Sequence, residues 1–223
     1  MNESQMIPPT VAPGSEKPTR IATFLPMEAG TSGSVDIWET ENGTRNYSVM
    51  LDTEVIHPDQ YLQLIHALYN MRNGDKMTII INSNGGWVET GIDIVTAMAN
   101  TRGHVETIAL GMCASIAAVI WSCGHTRKVS PLATIMYHMP SGGYFGKSLD
   151  IQAETEGLND YFKRLLADIT KGLLTSEDII NIVDNRMDIY ISGPVMEERM
   201  RAYEERKKKD MAESTSAEEG ATE

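Results

Sequence analysis

The chain has 223 residues, of which 41% are hydrophobic and 22% are charged, the usual balance of a globular protein with a sizeable core. Its formal net charge of -12 argues against a protein that binds nucleic acid by tracking the phosphate backbone. The longest apolar stretch, residues 108–121, is shorter than the ~20 residues that a helix needs to cross a membrane.

The first 20 residues are rich in Pro, Ser, Glu and Lys without hydrophobic periodicity, which is typical of a mobile arm. They lack the basic start and apolar run of a secretory signal peptide. Both cysteines, Cys113 and Cys123, lie in the apolar stretch, and neither has metal-ligand spacing around it. Two buried, unpaired thiols fit a reducing compartment, so we expect a cytoplasmic protein without a metal or other cofactor.

Strand-like and helix-like patterns alternate through the middle of the chain. Residues 35–53 predict one or two short strands, and a helix follows from His57, with Leu62, Ile65 and Leu68 as its apolar positions. Further along, the patterns predict buried strands at 77–81 and 105–110, helices through Ile92 to Met98 and over 115–121, and one or two strands within 128–138. This alternation favours an α/β domain with a largely parallel sheet.

The C-terminal part of the chain is predicted to be mainly helical. A long helix is predicted over 149–173, and its apolar side could pack on a neighbouring subunit or on the sheet of its own domain. Thr175 is placed to cap a second helix. After Pro194 the chain becomes strongly charged, which predicts a fraying helix that runs into a disordered tail over 201–223. Residues 21–200 are then the folded domain.

Residues 111–118, Gly-Met-Cys-Ala-Ser-Ile-Ala-Ala, place Ser115 where a predicted strand meets a predicted helix. The first amides of a helix have no intrahelical partner, so the N–H of Ile116 could stabilise an oxyanion that forms beside Ser115. The small neighbouring residues would let a substrate backbone approach. A serine that merely caps the helix has the same pattern, and from this run alone capping is the commoner explanation.

Two other segments could complete a nucleophilic site. Gly85 and Gly86 follow a buried strand, where ligands bind in parallel α/β sheets, and the N–H of Gly86 could be a second oxyanion donor. A turn that requires positive φ would also explain the two glycines. His138 ends an apolar strand, where its ring is either a general base or a satisfied core group, and residues 141–146 could pair with an extended peptide.

A general-base histidine is usually oriented by a carboxylate. Periodicity does not choose among the aspartates further along the chain, which are Asp150, Asp160, Asp168, Asp178, Asp184 and Asp188.

Three motifs in this order resemble the Clp protease proteolytic subunit family of serine peptidases, over roughly residues 78–196. Residues 81–86 are similar to the family pattern Ile-Asn-Ser-Pro-Gly-Gly, with Asn84 in place of the proline. Residues 111–118 resemble its serine motif Gly-x-Ala-Ala-Ser-Met-Ala-Ala, and residues 136–146 its histidine motif Met-Ile-His-Gln-Pro-x-Gly-Gly-x-x-Gly. One such motif would be weak, but three at near-family spacing are specific.

The resemblance implies a spiral of repeated β-β-α units, as in Clp proteases and crotonases, with a projecting long helix. It implies that Ser115 is the nucleophile and His138 the general base, and that the N–H groups of Gly86 and Ile116 form the oxyanion hole. It further implies that an extended substrate strand lies along the backbones of Gly85, Ser141, Gly142 and Gly143.

The resemblance also identifies a third member of the triad. Asp188 precedes Ile-Tyr-Ile-Ser-Gly-Pro, which takes the place of the family's Phe-Leu-Ser-Ala-Pro type of run after the catalytic acid. The alignment requires about one inserted residue near 171–174, so Asp184 is kept as the alternative acid.

For the whole protein, the resemblance implies a peptide or protein substrate and a chamber built from heptameric rings, which in the family stack as a tetradecamer. The N-terminal third and the segment after Pro194 differ from the family regions that contact an ATP-driven unfoldase ring, so that partner is left open. Three alternatives also stay open: a dedicated processing protease of the virus-head maturation kind, a crotonase-like acyl-CoA enzyme, and an inactive scaffold subunit. No nucleic acid or membrane partner is expected.

Overall fold

The computed structural model describes residues 19–24, 34–140 and 148–220. Within these ranges the strands are β1 Thr19–Phe24, β2 Val35–Glu39, β3 Arg45–Leu51, β4 Lys76–Ser83, β5 His104–Ala114, β6 Thr126–Val129, β7 Thr134–Tyr137 and β8 Ile189–Ser192. The α-helices are α1 Leu62–Asn70, α2 Val88–Asn100, α3 Ile116–Ser122, α4 Ser148–Ile169, α5 Ser176–Val183 and α6 Gly193–Gly220. A short 3₁₀ turn, Pro58–Tyr61, leads into α1.

The described strands form a single sheet in the order β1-β2-β3-β4-β5-β7-β8, with β6 paired to β5 outside this path. The pairs among β3, β4 and β5 are parallel, as are those of β5 with β6 and with β7. Antiparallel pairs occur only towards the two ends of this order, at β1–β2, β2–β3 and β7–β8. The α/β class with a largely parallel sheet is therefore confirmed, and it is consistent with the expected β-β-α units.

A bulge lets β5 pair with two strands on the same side. Ile81 and Ser83, which are two residues apart on β4, have partners on β5 that are four residues apart. The side-chain oxygen of Asn82, which lies between them, accepts the backbone N–H of Met112 at 3.0 Å. Because a bulge bends its strand, the first half of β5 pairs with β6 and its second half with β7.

The predicted helix after His57 is present, but its apolar face is rotated from the expected one. Tyr61, Leu64 and Leu68 are fully buried, whereas Leu62 is 44% exposed, so the expectation that Leu62 lies on the apolar side is wrong. The cause is Tyr61, which takes the core position, and its hydroxyl donates to the backbone oxygen of Glu54 at 3.2 Å.

The two ends of the chain differ from the sequence expectations. Strand β1 starts at Thr19, inside the segment predicted to be a mobile arm, and residues 1–18 lie outside the described residues. Helix α6 continues to Gly220, through the range for which the sequence favoured disorder. Opposite charges four residues apart, such as Glu204 and Lys208, support such a helix. The division into arm, domain and tail stays a prediction.

Helix α4 matches the predicted long helix but ends at Ile169, four residues before the expected end. Over the described residues, no helix combines the length and the apolar character that crossing a membrane requires.

Asp75 ties together the amino ends of three neighbouring strands. Its side chain is in the core, with the residue 2% exposed, and its two carboxylate oxygens accept the backbone N–H groups of Arg45 and Arg72, each at 2.8 Å. Its backbone oxygen accepts the N–H of His104 at 2.9 Å. Asp75 therefore fixes the start of β3 and of β5 against the turn that leads into β4.

Replacing Asp75 with alanine should lower the free energy of unfolding by about 1–3 kcal/mol, because two part-buried backbone N–H groups lose their acceptor. Urea denaturation followed by circular dichroism measures this loss. Asp93→Ala is the control, since Asp93 is exposed on α2 and its loss should change stability by less than about 0.5 kcal/mol. Equal losses in the two variants would contradict the role assigned to Asp75.

Candidate active site

Four neighbouring strands bring the candidate residues to one edge of the sheet. Strands β4, β5 and β7 are parallel, so their carboxyl ends lie together, and β8, antiparallel to β7, begins at the same edge. Gly85 and Gly86 follow β4, Ser115 follows β5, His138 follows β7, and Asp188 precedes β8. Residues as far apart in the sequence as Gly85 and Asp188 are thus brought to the same edge by the order and direction of the strands.

Ser115 is held in an unusual backbone conformation between β5 and α3, with φ 57° and ψ -130°. A non-glycine residue rarely adopts positive φ, and such strain is found mainly at functional sites. Its N–H donates to the backbone oxygen of Met136 at 2.9 Å, which ties the turn to β7. Its side chain makes no capping bond to α3, so the capping interpretation does not describe this serine.

The hydroxyl of Ser115 instead meets the imidazole of His138. The distance from Ser115 Oγ to His138 Nε2 is 2.8 Å, which is a hydrogen bond. The side chain of His138 is 23% exposed, so the contact is partly shielded from water. A base within hydrogen-bond distance of a hydroxyl is the arrangement that can take up its proton.

The other ring nitrogen of His138 faces Asp188. In the antiparallel pair of β7 and β8, Tyr137 lies opposite Ile189, so the next residues outward are His138 and Asp188. The distance from His138 Nδ1 to Asp188 Oδ1 is 3.8 Å, the distance of an ion pair and longer than a hydrogen bond. The Asp188 side chain is 51% exposed, so it has room to move closer.

Two other candidate aspartates have different partners. Asp184 lies 3.8 Å from Lys163 Nζ, so the structure brings Asp188, and not Asp184, to the imidazole. Asp178 Oδ2 accepts a hydrogen bond from Arg199 at 2.8 Å and caps α5 together with Thr175. Burial acts to raise the pKa of Asp178, but the Thr175 hydrogen bonds and the Arg199 charge outweigh it and hold that pKa below its usual value.

Gly85 lies in direct contact with the nucleophile turn. Its φ is 97°, and a Cβ on it would lie 2.6 Å from Ser115 Cβ and 3.2 Å from the backbone nitrogen of Ile116. Both the backbone conformation and the close approach therefore require glycine. The peptide after β4 consequently runs immediately beside Ser115 and the first turn of α3.

The peptide around Gly86 is held by Val55, a residue that the sequence analysis did not single out. Val55 N–H donates to Gly85 O, and Val55 O accepts the N–H of Trp87, each at 2.7 Å. Neither bond uses the N–H of Gly86, for which the described residues offer no acceptor. The isolated bridge between Val55 and Gly86 joins two residues that both lie outside the named strands, so no strand pattern could have predicted it.

The N–H of Ile116 belongs to the same cluster of donors. Helix α3 begins with the hydrogen bonds from Ala118 and Val119 to Ser115 O, at 3.0 and 3.2 Å. The N–H of Ile116 precedes them and lies in the unpaired first turn, next to the hydroxyl of Ser115. The site thus has a hydroxyl in contact with an imidazole, with the first turn of α3 and the Gly85–Gly86 peptide beside them.

A small apolar pocket opens beside Ser115 and His138. Its apolar lining residues are Val88, Ile116, Val119, Pro140, Phe162 and Leu166. The last two come from α4, so the long helix covers the site. The sequence pattern predicted this long helix with an apolar side, but it did not connect the helix to the site.

Cys113, two residues before Ser115, is not a competing nucleophile. Its thiol is fully buried, and burial raises its pKa far above the usual value, which keeps it protonated. Burial also raises the pKa of Cys123 to about 11. Both cysteines are unpaired, as the sequence predicted, and Cys113 is the buried one.

Ser141, Gly142 and Gly143, the predicted partners of a substrate strand, lie outside the described residues, so their role stays a prediction.

Comparison with known proteins identifies a family and, among the curated proteins, a similar chain. The family model described as Clp protease matches residues 34–194, a range that includes every catalytic and oxyanion-hole candidate named above. The ATP-dependent Clp protease proteolytic subunit 2 of Chlamydia pneumoniae is 32% identical to this chain over 129 residues. That match covers 55% of this chain and 64% of the relative, which is less than two thirds of the relative's length.

Replacing Gly85 with alanine should lower the free energy of unfolding by about 2–4 kcal/mol, because a Cβ there is strained and clashes with Ser115. Gly43→Ala is a matched control. Gly43 also has positive φ, 78°, but a Cβ on it would meet nothing within 4 Å. Gly43→Ala should therefore lower the free energy of unfolding only by the cost of the backbone strain, about 1 kcal/mol. Chemical denaturation of both variants measures the difference, and its absence would contradict the close approach.

Proposed function

The chain belongs to the Clp protease family, and we propose that it is a serine endopeptidase that uses Ser115, His138 and Asp188 as its catalytic triad. The observation that carries this proposal is the 2.8 Å hydrogen bond between Ser115 Oγ and His138 Nε2. The positive φ of Ser115 supports the same function, because such strain is found mainly at functional sites. The proposed backbone donors beside it would stabilise the oxyanion of acyl transfer.

In the first half of the reaction, Ser115 Oγ attacks the carbonyl carbon of the scissile peptide while His138 Nε2 takes the hydroxyl proton. The carbonyl oxygen becomes an oxyanion and accepts hydrogen bonds from the N–H groups of Gly86 and Ile116. His138 then gives the proton to the leaving amine, the C–N bond breaks and an acyl ester on Ser115 remains. Water, deprotonated by His138, hydrolyses this ester by the same steps and restores the hydroxyl.

Asp188 orients the His138 ring and stabilises its positive charge when it is protonated. The 3.8 Å distance between them has to shorten by about 1 Å to form a hydrogen bond. The exposed position of Asp188 allows this movement, and hydrogen bonds of catalytic groups are often long before substrate binds.

The apolar pocket suggests which peptides are cleaved. Phe162, Leu166 and Val88 offer only apolar surface next to Ser115, so the substrate residue on the acyl side of the cleaved bond should be apolar. Main-chain pairing along Gly85, and along the predicted strand partners at 141–143, would add affinity without sequence preference. The proposed specificity is therefore loose, with one apolar position.

The proposed quaternary structure is a homo-oligomer in which rings of seven subunits, stacked in pairs, enclose the active sites. The matched relative is named an ATP-dependent protease subunit, and an ATP-driven unfoldase ring is the corresponding candidate partner of this chain. The cytoplasmic location predicted from the sequence stays a prediction.

Of the other functions considered, the Ser115–His138 hydrogen bond argues against a crotonase-like acyl-CoA enzyme and against an inactive scaffold, since neither needs this pair. A dedicated processing protease would use the same site, and it would differ only in its natural substrate.

Ser115→Ala should abolish cleavage of an apolar fluorogenic peptide, with kcat lower by at least about 10³-fold, because no other group can form the acyl ester. Labelling by a fluorophosphonate, read by mass spectrometry, should modify Ser115 in the wild-type chain and disappear in the variant. Ser176→Ala, at an exposed serine of α5, is the control and should keep full activity. Peptide turnover by Ser115→Ala equal to wild type would overturn the proposal.

Asp188→Asn should lower kcat by about 10²-fold or more, because the amide no longer stabilises the protonated imidazole. Asp184→Asn removes the same charge from a neighbouring aspartate that pairs with Lys163, and it should change kcat less than about twofold. Steady-state kinetics of the two variants on one peptide measure the difference. A larger loss in Asp184→Asn would transfer the role to that residue.

A further inference from the structure

A buried hydrogen bond joins Tyr137 to Ser122 behind the candidate active site. The distance from Tyr137 OH to Ser122 Oγ is 2.7 Å, and the two residues are 1% and 2% exposed. Neither residue takes part in the mechanism proposed above. A hydrogen bond between two hydroxyls at this depth holds its two segments together, because separating them would leave polar groups unpaired in the core.

The number of hydroxyl protons determines which of the two residues is the donor in this hydrogen bond. Ser122 has one hydroxyl proton, and it donates that proton to the backbone oxygen of Ala118 at 2.7 Å. Ser122 Oγ must then accept from Tyr137, whose phenol is the donor. Burial raises the pKa of Tyr137, so the phenol keeps its proton over the whole working range of pH.

This hydrogen bond connects the two segments that carry the serine and the histidine. Helix α3 begins directly after Ser115 and ends at Ser122, and β7 ends at Tyr137, directly before His138. With seven residues, α3 is about 10 Å long, so Ser122 lies at the end remote from the nucleophile. The near end is already attached to β7, through the hydrogen bond from Ser115 N–H to Met136 O.

Two points of attachment define the angle between a helix and a strand, whereas one point leaves the helix able to pivot. The Ser115–Met136 bond attaches the first turn of α3 to β7. The Tyr137–Ser122 bond attaches the remote end of the helix to the same strand, and it acts on the distance between Ser115 Oγ and His138 Nε2, since these atoms project from the same two segments.

Other hydrogen bonds at the remote end of α3 lead to different strands. Thr107 Oγ1, on β5, donates to Trp121 O at 2.7 Å, and Arg127 Nη1, on β6, donates to Ser122 O at 2.9 Å. These bonds stabilise the helix without connecting it to the strand that carries His138. They therefore offer a control that separates general stability from positioning.

We propose that Tyr137 and Ser122 are positioning residues: their hydrogen bond sets α3 against β7 and thereby keeps Ser115 within hydrogen-bond distance of His138. The same bond fixes the direction of the Ile116 N–H, because that group lies in the first turn of α3. This inference rests on the proposed serine peptidase function and adds two residues whose hydroxyls take no part in the chemical steps, although Tyr137 also lines the apolar pocket.

Tyr137→Phe in the full chain should lower kcat for the fluorogenic peptide about fivefold and leave KM unchanged, because the loss affects proton transfer and not peptide binding. The rate at which a fluorophosphonate labels Ser115 should fall by the same factor. Thr107→Val is the matched control. It removes a buried hydrogen bond of the same length to the same end of α3, so it should lower stability by a similar amount and keep the wild-type kcat.

A double-mutant comparison tests whether the two hydroxyls act as one unit. Ser122→Ala leaves the Tyr137 phenol without its acceptor and should lower kcat at least as much as Tyr137→Phe does. The combined variant Tyr137→Phe/Ser122→Ala should stay within about twofold of Tyr137→Phe alone, since the hydrogen bond can be lost only once.

Wild-type kcat in both Tyr137→Phe and Ser122→Ala would overturn the positioning role, and so would an equal loss of kcat in Thr107→Val. Multiplicative losses in the double variant would show that the two residues act separately, which also contradicts the inference. Failure of the peptidase function itself is recognised differently, because the wild-type chain would then show no turnover or labelling that depends on Ser115.

Discussion

The candidate site depends on the pairing of the second half of β5 with β7. Ala114 lies opposite Met136 in this parallel pair, so the residues that follow the two strands come out side by side. The bulge in β5 makes this pairing available, because the first half of the strand is already bonded to β6. The Ser115–His138 hydrogen bond is a consequence of strand pairing, and so is the position of Asp188, since β8 adds to β7 in the register that places it opposite His138.

The strained conformation of Ser115 is sustained by the packing around it. Positive φ at a non-glycine residue costs about 1–3 kcal/mol, which a loop in water would release by changing conformation. Here every residue of α3 from Ile116 to Ser122 is buried, and the backbone of Gly85 lies against the turn on the opposite side. The core thus stabilises the turn that brings the hydroxyl of Ser115 to His138 at the start of α3.

The sequence predicted the local features of this site better than its long-range ones. Alternating buried strands and helices, and the two motifs around Ser115 and His138, are short patterns that one segment carries by itself. Hydrophobic periodicity could not show whether Asp184 or Asp188 faces His138, because this depends on the register of β8 against β7. In the sequence, Tyr137 and Ser122 look like ordinary residues at the end of a strand and of a helix. Their hydrogen bond could not be predicted, since it exists only when α3 packs on the sheet.

The two contacts of His138 differ in the kind of structure that holds them. Ser115 is placed by a buried helix and a central strand, whereas Asp188 is half exposed and precedes a strand at the end of the sheet order. The proposed nucleophile and base are therefore already in contact, at 2.8 Å, while the proposed acid lies 3.8 Å from the imidazole. Substitutions in the core behind α3 should affect proton transfer from Ser115 to His138. Substitutions in the segment around Asp188 should affect the orientation of the His138 ring. Because buried packing resists displacement and an exposed side chain does not, Asp188 is the member of the proposed triad that substrate binding would have to bring into place.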